Sequence, residues 1–175
     1  MLPMNKPIGS LSASDIMSTE VVMISDQMSL QGAARLLSRS QVSGAPVVDT
    51  EGRCTGMLSA VDFLHWAEKG GKAIAQPCDG GDTAWKPWQM LDHPEHAETM
   101  VTEVMTHNPV TAPPQAPLSE ISRMMLDAHI HRVLIVDAAG KPVGIVSSTD
   151  ILAAVARSEA LRESALKQTP ELVAH

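Results

Sequence analysis

Two short apolar runs on either side of a glycine-containing turn occur twice in the chain, and each pair is followed by a polar cluster. The clearer copy has apolar residues at 133–136 and 143–146, with Gly140 in the turn between them. Such β-branched runs around a turn predict two neighbouring strands. The polar cluster at 147–150 (Ser-Ser-Thr-Asp) predicts a helix start, because these side-chain oxygens accept hydrogen bonds from free backbone N–H groups. The N-terminus of a helix is also a favourable binding site for an anion.

The chain contains an internal duplication. Residues 17–64 align with 105–152 without a gap, and twelve of the 48 aligned positions are identical. Many of the others pair an apolar residue with an apolar residue. The identities are concentrated at the turn glycine, the strand-end glycine, and the Ser and Asp that open the last helix. These four pairs are Gly52 and Gly140, Gly56 and Gly144, Ser59 and Ser147, and Asp62 and Asp150.

Each copy predicts the order β-α-β-β-α. An extended piece at 21–24 or 110–111 is followed by a helix from about Ser29, or from Pro117 as a first helical residue. In the first copy, apolar residues at 30, 33, 34 and 37 have helical spacing, and the second copy has apolar residues at 118, 121, 124 and 125 in similar positions. The paired strands are expected at 45–48 and 55–58, and again at 133–136 and 143–146, with closing helices from about Ser59 and Ser148. We therefore predict an α/β (α+β) fold of two small sheets with helices packed on them.

This organisation divides the chain into five parts. Residues 1–12 are expected to be a flexible N-terminus, 13–67 the first repeat, 68–100 an insert that carries Trp85 and Trp88, 101–156 the second repeat, and 157–175 a C-terminal helical tail. Proline at 170 should stop that helix after about Lys167. The insert is interpreted as a loop anchored by its two Trp residues, or as a partner-binding patch.

Composition narrows the class of function. A net charge of −7, one Phe and no Tyr argue against a nucleic-acid surface, which needs basic and stacking side chains. The first ten residues lack the apolar core of a signal peptide, and no run approaches the roughly 20 apolar residues of a membrane span. Cys54 and Cys78 have no metal or redox spacing. We therefore expect a cytoplasmic protein with reduced thiols, without membrane or nucleic-acid partners.

The doubled pattern, with IHRVLIVD and GIVSSTDIL in its second copy, resembles a tandem CBS-domain pair, also called a Bateman module. The second copy is especially similar to the repeats of the γ subunit of AMP-activated protein kinase. The resemblance covers 13–67 and 101–156 and implies a regulatory module without catalysis. It implies AMP, ADP or ATP as a regulatory ligand in a cleft between the repeats, no required cofactor, and a homodimer.

The resemblance also implies which residues bind the ligand. Asp150 would bind the ribose, Thr149 and Ser147 the phosphate, His131 and Arg132 would lie at the phosphate end, and Val110, Thr111 and Val133 would flank the base. A second, weaker site would use Asp62, Ser59 and Val22. The first motif departs from the pattern, because Val61 replaces the hydroxyl of Thr149 and Gly44 stands where Arg132 does. We therefore expect one good site and one poor or vacant site.

Several alternatives remain open on the sequence. The Ser and Asp pairs could serve only as helix caps. The module could be a structural dimerisation unit with vacant sites, or an S-adenosylmethionine sensor. Metal binding is a minor alternative for His129 with His131, for His93 with His96, and for a calcium loop at 79–82. Met124 and Met125 are expected in the core or in a dimer interface.

Overall fold

The computed structural model describes residues 6–69 and 99–167, with side chains described up to residue 160. The helices are α1 (Ala13–Ile16), α2 (Leu30–Ser40), α3 (Ala60–Glu68), α4 (Val101–Val104), α5 (Leu118–Asp127) and α6 (Ser148–Lys167), with a 3₁₀ turn at Ile8–Ser10. The strands are β1 (Ile24–Ser25), β2 (Gly44–Val48), β3 (Cys54–Ser59), β4 (Thr106–His107), β5 (Thr111–Ala112), β6 (Arg132–Val136) and β7 (Pro142–Ser147). The predicted β-α-β-β-α order is confirmed in both repeats.

The chain forms two compact units. Of the described residues, the first unit comprises 20–69, 99–109 and Ala138–Pro142, and the second comprises 6–19, Val110–Asp137 and 143–167. The first unit contains a four-stranded sheet in the order β1-β2-β3-β4, and β5-β6-β7 form a three-stranded sheet. In the first sheet β1 runs parallel to β2, and the other neighbours are antiparallel.

Helices α2 and α5 bury the apolar faces that their spacing predicts. In α2 these are Leu30, Ala33, Ala34 and Leu37, and in α5 they are Leu118, Ile121 and Met125. Ser29, from about which the helix is predicted to run, is the N-cap of α2, and its side chain accepts a hydrogen bond from the Gly32 backbone at 3.1 Å. Pro117, predicted as the first residue of α5, is instead its N-cap, because its ψ of 147° is extended rather than helical.

The short helix that opens each repeat (α1 or α4) packs in the unit that contains the sheet of the other repeat. The backbone N–H of Ala13 donates to the Ala116 carbonyl at 2.9 Å, and Ile16 lies in the same apolar core. Conversely, Val101 N donates to Met28 O at 3.1 Å, and Val101 is fully buried in the core of the first unit. The compact units therefore differ from the continuous stretches 13–67 and 101–156.

Part of the N-terminus was expected to be flexible, but it is packed from the 3₁₀ turn onward. Leu11 is 8% exposed and joins the core of the second unit, and its carbonyl accepts a hydrogen bond from Leu118 N at 2.9 Å. The expectation for residues 1–12 is therefore wrong for the stretch from Ile8 onward. Helix α6 does extend to Lys167, as the sequence predicted.

Candidate functional site

The start of α6 is held by a reciprocal hydrogen-bond pair between Ser147 and Asp150. The backbone N and the Oγ of Ser147 donate to Asp150 Oδ2 at 2.8 and 2.5 Å, and Asp150 N donates back to Ser147 Oγ at 3.3 Å. This is a capping box, which satisfies backbone donors that the first helical turn leaves without partners. Ser147 and Asp150 therefore cap α6. This cap uses only Oδ2 of Asp150, and Oδ1 of Asp150 has no hydrogen-bond partner within residues 6–69 and 99–160.

The start of β6 lies against the start of α6. The backbone N of Ser148 donates to the His131 carbonyl at 3.0 Å, so His131 is fixed by its main chain while its side chain is exposed. Arg132 follows as the first, exposed residue of β6, and Thr149 is exposed in the first turn of α6. A guanidinium, a hydroxyl and the positive end of a 20-residue helix therefore belong to one local substructure.

The three residues predicted to flank a base have different surroundings. Thr111 lies on β5, paired with Leu134 of β6, and is partly buried. Val110 packs against the core of the second unit, and its carbonyl accepts a hydrogen bond from Leu134 N at 3.3 Å. Val133 is 0% exposed within that core, so its side chain does not present a surface to a ligand. The structure therefore assigns Val133 to packing, because β6 is the central strand of its sheet and points this side chain inward.

The first repeat has the same capping box but a different environment for its aspartate. Ser59 N and Oγ both donate to Asp62 Oδ2 at 2.7 Å. Asp62 is only 8% exposed, and its second oxygen, Oδ1, accepts a hydrogen bond from Thr106 Oγ1 at 2.7 Å. Val22 packs against the apolar core of this unit. Both carboxylate oxygens of Asp62 are therefore engaged.

The first repeat also leaves little room for a basic side chain at the entry to its second strand. A Cβ at Gly44 would lie 3.0 Å from the Leu58 carbonyl oxygen and 3.1 Å from Ser59 Cβ. Gly44 pairs with Ser59 across β2 and β3, so this contact is fixed by the sheet. Val61, in the position of Thr149, is 54% exposed and carries no hydroxyl. The two motifs therefore differ in charge, in hydrogen-bonding groups and in carboxylate access.

A family model for the CBS domain matches this chain twice, at residues 13–69 and 101–157. The chain belongs to the CBS-domain family. The two matches cover most of the chain and coincide with the internal duplication, so the duplication is a tandem CBS pair.

Curated relatives include short CBS proteins and longer enzymes. The CBS domain-containing protein YhcV of Bacillus subtilis is 31% identical over 140 residues, which are 80% of this chain and 82% of that protein. The uncharacterized protein MJ1426 of Methanocaldococcus jannaschii is 28% identical over 150 residues, covering 81% of this chain and 89% of that protein. The L-aspartate semialdehyde sulfurtransferase of the same organism is 27% identical, but the match covers only 24% of that enzyme.

Solved CBS structures share the fold. The CBS protein CBSX2 of Arabidopsis thaliana, solved in complex with AMP, has a TM-score of 0.64 at 22% identity, covering 85% of this chain and 98% of that chain. The CBS pair of the protein MJ0100, solved with 5′-methylthioadenosine and S-adenosylmethionine, has a TM-score of 0.64 at 22% identity, covering 83% and 96%. At these identities the likeness shows the tandem CBS fold.

An apolar groove between α5 and α6 of the second CBS repeat was not predicted. It has a volume of about 490 Å³ and is lined by Ser122, Met125, Leu126, His129, Ile130, His131, Ser148, Ile151 and Leu152. Leu126 and Leu152 are 73% and 67% exposed. The helical periodicity of α5 places Leu126 outside the buried apolar stripe, and this was the signal in the sequence that indicates an exposed apolar side chain.

Among the described residues, the other candidates from the sequence do not form a metal site. His129 follows α5 and has a φ of 53°, and His131 precedes β6, so the two histidines do not form a pair on a strand. The described part of the chain contains no group of three metal-ligating side chains. Cys54 is half-buried, and burial raises the pKa of its thiol. Trp85, Trp88, Cys78, the histidines at 93 and 96, and the loop at 79–82 lie outside the described residues. Within the described residues, no helix is both long and apolar enough to cross a membrane.

Proposed function

We propose that this CBS pair is a regulatory module that binds an adenine nucleotide in its second repeat, without catalysis. The observation that carries the proposal is the free Oδ1 of Asp150. The capping box orients the carboxylate through Oδ2, and an ionised carboxylate oxygen held in this way accepts hydrogen bonds strongly. The two hydroxyls of a ribose are donors that suit it.

The groups around Asp150 favour a ligand that carries phosphate. Arg132 supplies a delocalised positive charge, which binds phosphate oxygens in a bidentate manner, and Thr149 supplies a hydroxyl. The N-terminus of α6 adds the positive end of the helix dipole. Ser147 already donates its hydroxyl proton to Asp150, so we assign it mainly to holding the carboxylate. AMP, ADP and ATP fit this set of groups, and His131, Val110 and Thr111 are proposed to line the same site.

The solved neighbours support the class of ligand. CBSX2 was solved with AMP, and the CBS pair of MJ0100 with 5′-methylthioadenosine and S-adenosylmethionine, all of which contain adenosine. S-Adenosylmethionine is the alternative ligand, since it would also present a ribose to Asp150. It carries a sulfonium cation instead of phosphate, so Arg132 disfavours it. In the enzymes among the relatives, the match covers about a quarter of the protein, which supports a regulatory role for this part.

Isothermal titration with AMP, ADP, ATP and S-adenosylmethionine tests the proposal. The wild-type chain should bind an adenine nucleotide, and Asp150→Ala should abolish binding. Thr149→Val introduces the valine that the first repeat has at this position (Val61), and Arg132→Gln removes the positive charge. Both substitutions should weaken the affinity for AMP about 10- to 100-fold, as expected for loss of a charge-assisted contact, while leaving the affinity for adenosine nearly unchanged.

The first repeat provides a matched control. Asp62→Ala removes the equivalent aspartate, the equivalent capping box and also the hydrogen bond from Thr106, so its structural penalty in the other unit is at least as large. It should retain wild-type AMP affinity. If Asp62→Ala and Asp150→Ala weaken binding equally, the effect is structural and the site assignment is wrong. If no adenosine compound binds at millimolar concentration, the sensor proposal is wrong.

A second candidate function is dimerisation, and the groove between α5 and α6 favours it. Leu126 and Leu152 expose large apolar side chains on adjacent helices, and Val155 follows one turn later on α6, 41% exposed. An exposed apolar surface of this kind is characteristic of an interaction site. We propose a second copy of the chain as its occupant, because a symmetric dimer places the same groove on both partners.

A further inference from the structure

The two CBS repeats present chemically identical capping boxes but differ at one carboxylate oxygen. In the second repeat, Asp150 Oδ1 has no partner among the described side chains. In the first repeat, Asp62 Oδ1 accepts a 2.7 Å hydrogen bond from Thr106 Oγ1. This bond joins residues 44 positions apart in the sequence, so it is a tertiary contact rather than part of the local cap.

Thr106 is held in place by the sheet. It lies on β4, where it pairs with Met57 of β3, and the preceding Met105 packs over Gly56 of the same strand. The residue that corresponds to Thr106 in the duplication is Ser18, which pairs with Ile145 through reciprocal backbone hydrogen bonds of 2.9 and 3.0 Å. Ser18 is exposed and makes no side-chain hydrogen bond to Asp150. The backbone arrangement is therefore the same, and only the side-chain contact differs.

We propose that Thr106 closes the first-repeat site by occupying the carboxylate oxygen that a ribose would need. This inference rests on the proposed function, in which Asp150 uses its free Oδ1 to bind ribose. A ligand that reaches Asp62 must replace a short hydrogen bond to a carboxylate that is 8% exposed. Thr106 is thus a specificity-determining residue that restricts the module to one ligand per chain.

Opening this site should admit a nucleoside rather than a nucleotide. The first repeat has Gly44 and Val61 where the second has Arg132 and Thr149, so it offers neither a charge nor a hydroxyl to phosphate. The contact at Gly44 also prevents a basic side chain from being added there without moving the sheet. Adenosine is therefore the appropriate probe, with AMP as the comparison.

The test uses Asp150→Ala as background, so that the second-repeat site is silent. Isothermal titration with adenosine should detect little binding in Asp150→Ala. Adding Thr106→Val, which removes the hydroxyl and keeps the β-branched shape, should increase the affinity for adenosine about 10- to 100-fold. The affinity for AMP should increase less than the affinity for adenosine. In the wild-type background, Thr106→Val should raise the adenosine stoichiometry from one to two per chain.

Two controls separate this effect from a general change in the fold. Thr106→Ser retains a hydroxyl that can reach Asp62 and should leave binding unchanged, and Ser18→Ala removes the corresponding hydroxyl in the other unit and should also have no effect. Thermal unfolding of each variant shows whether it is folded, and Thr106→Ala provides a second way to remove the hydroxyl if the valine variant unfolds.

The outcomes distinguish the two proposals. If wild type binds an adenosine compound but folded Thr106→Val and Thr106→Ala gain no adenosine binding, Thr106 does not close the first site and this inference is wrong. If wild type binds nothing but the Thr106 variants do, the assignment of Thr106 stands and the second-repeat site is wrong. If neither binds, both proposals are wrong.

Discussion

Alanine at Gly56 tests how the segment that opens the second CBS repeat is held in the first unit. Met105 lies directly over Gly56 and is only 7% exposed. A Cβ at Gly56 would overlap Met105 Sδ and would stand 3.0 Å from both Cγ and Cε of the same side chain. Gly56 lies within β3 and is not among the glycines with positive φ, so alanine is compatible with its backbone. The expected effect is therefore one of packing alone.

The magnitude follows from two opposing contributions. Forcing a methyl group into a packed core costs about 1–3 kcal/mol of folding free energy, and Gly→Ala returns about 0.4–1 kcal/mol by restricting the unfolded chain. We expect Gly56→Ala to lower the free energy of unfolding by about 1–2 kcal/mol, because the flexible Met105 side chain can shift partly out of the way. Urea denaturation of the full chain, followed by circular dichroism, measures this change.

A double-mutant cycle assigns the loss to Met105. Met105→Ala alone should cost about 2–5 kcal/mol as a large-to-small core change, but it also vacates the space that the new methyl group needs. The combined variant should therefore be more stable than the sum of the two losses by about 1 kcal/mol. Gly9→Ala is the matched control, because no heavy atom lies within 4 Å of its Cβ position. A neutral Gly56→Ala, or strict additivity with Met105→Ala, would refute the reasoning.

Two further predictions concern the N-terminal segment and the apolar groove. The backbone N–H of Ser12 and the ammonium group of Lys6, at 2.8 and 2.9 Å, hold the pKa of Asp15 below its usual range. The unfolded chain therefore takes up this proton at a higher pH than the folded chain, so the stabilisation is complete above about pH 5 and is lost as the pH falls through the lowered value. Asp15→Asn should flatten the fall in melting temperature between about pH 5 and pH 3, and an unchanged slope would contradict this assignment. For the groove, sedimentation should find a dimer in wild type and a monomer in Leu126→Glu and Leu152→Glu. Arg157→Gln makes the same change of charge about 140° around α6 from Leu152 and should remain dimeric; a monomeric wild type or dimeric groove variants would exclude the interface.

The sequence was sufficient to predict the β-α-β-β-α elements of each repeat and the buried faces of α2 and α5. The apolar spacing in α2 and α5, the strand pairs and the Ser-x-x-Asp helix starts are all determined by residues close together in the chain, where periodicity and capping rules apply. Comparison of the two copies strengthened each of these predictions, because the same pattern appears at the same offset. The family comparison confirmed the tandem CBS pair on this basis.

Features that depend on distant residues could not be predicted in the same way. Nothing local indicates that Val101 and Met105 join the core of the first unit, or that Leu11 and Ile16 join that of the second. The left-handed residues that follow α2 and α5, Gln41 and His129, both with φ of 53°, occupy positions where glycine is usual, so composition gave no signal for them. The burial of Val133, which the resemblance places beside a ligand, likewise depends on the core of the second unit.

The Ser-x-x-Asp motif shows why capping and ligand binding are not exclusive alternatives. A carboxylate has two oxygens, and the cap uses only Oδ2 in both repeats, so the local sequence determines the orientation of the side chain but not the availability of Oδ1. That availability is decided by the residue after Met17 or Met105, which is Ser18 in one unit and Thr106 in the other. Only Thr106 donates to its aspartate. Alignment of the two copies places a hydroxyl at both positions, and the tertiary contact then makes two nearly identical motifs unequal.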